Sequence, residues 1–193
     1  MNDSKWFSVV ALATAAVVVA IGALMIFASV NLAPVASSPS ASKPGPTAYL
    51  NLTIRYDPAK GAFAFTPANA TIVAHTKVIV TITNHDPSIG NLYLPWDNQV
   101  IGTMGGTEVV DSGNGAHSVT SLPEHGVGHT FTILDAFYNI SVPIPPAPTS
   151  SVPTVVTFQL TMGSTETTTW ACMCDCDHGN MMPGMFGRLV VSE

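Results

Sequence analysis

Residues 49–56, YLNLTIRY, place Leu50, Leu52, Ile54 and Tyr56 on one face and Asn51, Thr53 and Arg55 on the other. A period of two is the pattern of a β-strand with one face buried. Residues 77–84, KVIVTITN, repeat it with Val78, Val80 and Ile82 facing in. Short β-branched or aromatic runs follow at 129–134, 137–142, 154–161, 166–172 and 186–191, punctuated by Gly, Pro, Asn and Asp. No window among them has a convincing amphipathic helical period. The pattern therefore predicts an all-β fold, an antiparallel β-sandwich or barrel. Residues 95–128 are Gly-rich and read as a long excursion from it. Residues 143–153, PIPPAPTSSVP, read as a stiff loop that sits at an edge or outside the sheet.

Outside this region the chain changes character. Residues 6–32 contain no charged side chain, and a run of that length is enough to cross a hydrocarbon core of ~30 Å. It is also longer than the ~7–15-residue apolar core of a cleaved signal peptide. Residues 1–32 are thus expected to be a single-pass membrane anchor, and the Pro/Ser-rich stretch 33–47 a spacer. Residues 48–193 form the domain, on the extracytoplasmic side of the cell membrane. The domain has Arg55, Lys60, Lys77 and Arg188 against eleven acidic residues, a net charge of −7. So acidic a surface has nothing with which to neutralise phosphates, which excludes nucleic acid as a partner. A hydrolytic enzyme has no support either, since no Gly-x-Ser-x-Gly motif is present.

Chemistry-bearing residues gather near the C-terminus. Cys172, Cys174 and Cys176 are all of the cysteines, and His178, Met181, Met182 and Met185 follow directly. A disulfide framework spreads its cysteines along the chain, and closed zinc sites usually pair two knuckles. Thiolate, imidazole and thioether packed together suit copper, which accepts soft sulfur and borderline nitrogen ligands. A His₂Cys site with a long axial Met requires a second His from a distant strand. His129 is the best candidate: it opens HTFTIL, on the same face as Phe131 and Ile133, so its ring is expected to point inward. His75, His117 and His125 lie in loop or strand-edge contexts and read as solvated, and Trp170 reads as a core aromatic.

With these residues in view, the sequence resembles the cupredoxins. Residues 170–191, WACMCDCDHGNMMPGMFGRLVV, are similar to the ending of rusticyanin- and sulfocyanin-type blue copper proteins. In that ending a strand delivers Cys, a turn delivers His, and Gly-Met-Phe-Gly or a similar run leads into the last strand. Residues 126–133, GVGHTFTI, resemble the strand start that carries the family's first His, and residues 63–86 resemble its early strands running into an Asn-Asp turn. The resemblance implies a Greek-key order for the sandwich or barrel, and copper as cofactor, held by His129, Cys172, His178 and Met185. Cys174 is an alternative thiolate, having three residues between it and His178, and His85 in the Asn-Asp turn is an alternative first His.

The same stretch is also similar to the copper domain of cytochrome oxidase subunit II. There the pattern Cys-x3-Cys-x3-His-x2-Met holds a binuclear centre, and here Cys172-x3-Cys176 and His178-x2-Met181 match it, with one residue between Cys176 and His178. Both resemblances imply a membrane-tethered copper protein that passes single electrons in a respiratory chain. Its partners would be redox proteins, a terminal oxidase or cytochrome complex. No catalysis is expected from the chain alone. A Cu(I) carrier is the competing class, since thiols and thioethers bind Cu(I) without redox cycling; in a purely adhesive domain the cysteine run would be incidental.

Overall fold

The computed structural model describes residues 45–175 and 185–193. The chain divides into Met1–Lys43 and Pro44–Glu193, and every described residue belongs to the second unit. The expected membrane span lies outside the described residues. Among those described, no helix is long and apolar enough to cross a membrane.

Thirteen strands lie among the described residues of this unit. They are β1 (Thr47–Asp57), β2 (Ala62–Thr66), β3 (Asn69–Val73), β4 (Thr76–Asn84), β5 (Asn91–Leu92), β6 (Glu108–Asp111) and β7 (His117–Val119). After them come β8 (His129–Leu134), β9 (Asn139–Ile144), β10 (Thr154–Met162), β11 (Glu166–Ala171), β12 (Cys174–Asp175) and β13 (Phe186–Ser192). One sheet has the order β2-β1-β4-β10-β6-β7, the other β3-β13-β11-β8-β9, and β12 and β5 form a small third sheet. The all-β expectation holds. Its purely antiparallel form does not, because β1 pairs in parallel with β4 and β13 with β3. Between β1 and β4 the chain crosses to the second sheet as β3 and returns, so β4 re-enters beside β1 in the same direction.

The predicted alternation builds the core. Leu50, Leu52 and Ile54 of β1 and Val78, Val80 and Ile82 of β4 are buried, together with Phe131 and Ile133 of β8 and Trp170 of β11. Trp170 stacks on Phe131, with ring centroids 5.9 Å apart, and meets Phe65 edge-on at 6.5 Å. Gly187 faces this indole from β13, and a Cβ there would collide with the ring. Tyr56 departs from its predicted face: it is 52% exposed, because β1 runs past the covered part of the sheet, and it packs edge-on against Phe63 at 5.8 Å.

Two further expectations are refined. The 95–128 excursion contains β6 and β7, which extend the first sheet beyond β10. Phe137 precedes its strand instead of opening it: the Asp135 carboxylate accepts from the backbone N–H groups of Phe137 and Tyr138 in a turn, and β9 starts at Asn139. The Pro-rich segment behaves as its missing donors require, since Pro143 lies in β9, an edge strand.

Candidate metal centre

Neighbouring strands of the second sheet carry the first two site residues. β8 begins with His129, and β11 ends at Ala171 opposite Thr132, which delivers Cys172 to the same end of the sheet. Both side chains are buried. His129 Nδ1 lies 3.8 Å from Cys172 Sγ. Its Nε2 lies 3.0 Å from the Asp86 carboxylate, which is also buried. Nε2–H donating to that carboxylate leaves the Nδ1 lone pair facing the thiol, and so fixes the tautomer that a metal ligand needs. A separation of 3.8 Å is one that a single metal bonded to both atoms spans with bonds of ~2.0–2.3 Å.

The turn after β4 is built around this carboxylate. Asn84 Oδ1 accepts from the backbone N–H of Asp86 at 2.9 Å, and Asn84 Nδ2 donates to Pro145 O at 2.8 Å, tying the turn to the chain after β9. Burial pushes the Asp86 carboxyl up, but hydrogen bonds from His129 and Ser88 outweigh it and hold the group below the usual range. Asp97 shifts the opposite way. Burial, and then the charge of Cys172, raise its carboxyl despite a hydrogen bond from Leu94 N–H.

Cys174 joins the pair through the third sheet. Its Sγ lies 3.2 Å from Cys172 Sγ and 3.4 Å from Gly128 O. The pairing of β12 with β5 places Gly90 against it, and a Cβ on Gly90 would lie 2.7 Å from Gly128 O and 3.2 Å from Cys174 Sγ. Only glycine allows this approach without a shift of backbone. One donor atom from each of His129, Cys172 and Cys174 lies within 4.8 Å of the others, and all three residues are buried. Cys172 is further braced by the Thr130 N–H, 3.4 Å from its Sγ, and its own N–H donates to Met185 O at 2.8 Å, bringing Met185 beside it. Cys176, His178 and Met181 lie outside the described residues.

The cluster takes its imidazole from His129 and not from His85, the alternative in the Asn-Asp turn. His85 is turned to Arg55 and Ser150 instead. His75, His117 and His125 are exposed, as expected. Sequence reasoning missed Asp86, Asp97 and Thr130 as parts of the site. Asp86 lies in a stretch, NHDP, that carries a turn signal, and an acid there reads as a turn former until its partner across the fold is known.

Fold and site together define a two-sheet β-sandwich with a buried imidazole–thiol–thiol group fit to hold a metal ion, and this donor set suits copper. Among solved structures the chain is similar to the copper protein rusticyanin, at 16% identity over 76% of this chain and 78% of that one, with a TM-score of 0.43. Rusticyanin from Thiobacillus ferrooxidans is similar at 15% identity over 76% and 78%, with a TM-score of 0.41. Auracyanin A, a "blue" copper protein from Chloroflexus aurantiacus, is similar at 12% identity over 75% of this chain and 98% of that one, with a TM-score of 0.38. No protein-family model and no curated protein matches the chain.

Proposed function

We propose that this protein is a membrane-anchored, extracytoplasmic copper protein of the cupredoxin type that carries single electrons in a respiratory chain. Its redox partners would be a terminal oxidase or cytochrome complex. The observation that carries the reading is the buried His129–Cys172 pair, 3.8 Å between Nδ1 and Sγ, with Nε2 held by Asp86. In this reading His129 and Cys172 are ligands, and His178 and Met185 complete the set that the sequence resemblance implies. Bound copper supplies a one-electron couple. The chain's own contribution is a dry, preorganised cradle: Asp86 orients the imidazole, and Thr130 N–H donates towards the Cys172 sulfur. Donors fixed before the metal changes charge keep reorganisation small.

A Cu(I) carrier is the second reading, and the Cys174 thiol 3.2 Å from Cys172 favours it, since two adjacent thiolates hold Cu(I) tightly. Loading the full chain with copper, then recording stoichiometry, visible absorption and electron paramagnetic resonance, separates the possibilities. One copper per chain with an intense thiolate band and a mononuclear signal supports the electron carrier. Two coppers sharing one unpaired electron would move the assignment to a subunit II-type centre. A colourless chain that retains only Cu(I) would leave the carrier.

A further inference from the structure

His85 and Arg55 form a second cluster, outside the metal centre. Arg55 lies on β1, and His85 follows the parallel strand β4, its backbone N–H donating to Ile54 O at 3.0 Å. The register therefore sets guanidinium and imidazole side by side, with Arg55 Nη2 3.1 Å from His85 Nε2. Arginine only donates, so Nε2 is the acceptor, and the proton is on Nδ1, which faces Ser150 O at 3.4 Å. Among the described residues no carboxylate pairs with Arg55; the ion pairs there are Lys60 with Asp57 and His129 with Asp86.

The two side chains line a cavity of about 400 Å³ with Tyr56, Phe63, Ser150 and Ser151. Its polar walls offer a guanidinium with N–H groups to spare and the hydroxyls of Tyr56, Ser150 and Ser151, while the one imidazole lone pair is already engaged by Arg55. Guanidinium N–H groups and hydroxyls gathered on one cavity fit a small oxyanion. We infer that the Arg55–His85 cavity binds a small tetrahedral oxyanion of the sulfate or phosphate class. The cavity wall Phe63 is also ring-to-ring with His129, 6.5 Å between centroids, so the occupant sits one aromatic side chain from the metal centre. The inference does not depend on which metal, if any, that centre holds.

The test is a titration of the full chain with sodium sulfate and, separately, sodium phosphate, each against a sodium chloride control of matched ionic strength. It is followed by calorimetry and by the ring ¹⁵N signals of His85, with and without copper. Saturable one-to-one binding that moves the His85 signals is expected. Arg55→Gln is expected to weaken it at least tenfold and His85→Gln several-fold, while Arg188→Gln, the domain's other arginine, leaves it unchanged. No saturable binding, equal response to chloride, unchanged binding in both Arg55→Gln and His85→Gln, or equal loss in Arg188→Gln would each overturn the inference. Because metal-free protein gives the same readout, failure here is distinct from failure of the copper reading.

Discussion

His129 is held from both ring nitrogens, by Asp86 at Nε2 and facing Cys172 at Nδ1. Outer partners of this kind are worth roughly 10–100-fold in metal affinity. Asp86→Asn is therefore expected to lower copper affinity on the order of tenfold while leaving the fold intact, measured by competition with a chelator. Away from the site, Gly187 has no room for a methyl beside Trp170. Gly187→Ala is expected to cost about 3 kcal/mol or more in a denaturant titration, since the indole is packed on both Phe131 and Phe65 and has nowhere to move. At this scale the sequence was readable where chemistry is concentrated. Three thiols within five residues and a histidine opening an alternating strand identify themselves. Asp86 and Asp97 did not, because an isolated acid beside Pro or Trp looks like surface until the packing that buries it is seen.

At the scale of elements, the site is a consequence of register. Ala171 opposite Thr132 puts Cys172 level with the start of β8, and the Thr130 hydroxyl accepting from Met173 N–H at 2.7 Å locks that alignment. The β5–β12 pair then presses Gly90 onto Cys174. Gly90→Ala is expected to unseat this pair and speed the reaction of Cys174 with a thiol reagent, with near-ultraviolet circular dichroism from Trp170 unchanged. The long strands were legible because an alternating apolar face is both the sequence signal and the cause of the sheet. β6 was not: only four residues long, it turns Glu108 inward beside Val110, which breaks the alternation that would have revealed it. The parallel pairs were hidden for another reason, since periodicity reports which face is buried and says nothing of the direction of the neighbour.

For the whole molecule, the inward Glu108 links stability to pH. Neither carboxyl oxygen has a hydrogen-bond partner among the described residues, and burial raises the group from 4.5 to about 8. The folded chain thus keeps a proton that the unfolded chain releases above 4.5. The stability this group contributes is complete below 4.5 and is lost as pH rises towards 8, at up to about 1.4 kcal/mol per pH unit. Asp86 works in the opposite direction, its lowered value withdrawing stability only as pH falls below the ordinary carboxyl range. The protein is expected to be more stable at pH 5 than at pH 7.5, and Glu108→Gln to flatten that difference, both checked by urea unfolding at the two values. A slope of the opposite sign would remove Glu108 from the account. The central claim is nevertheless the pairing of His129 with Cys172 on one copper. It is tested most directly by titrating Cu(II) into the wild-type chain, Cys172→Ser and Cys174→Ser, and following the visible thiolate band. The account expects an intense band in the wild type that survives Cys174→Ser and is abolished by Cys172→Ser. A band that survives Cys172→Ser would contradict it.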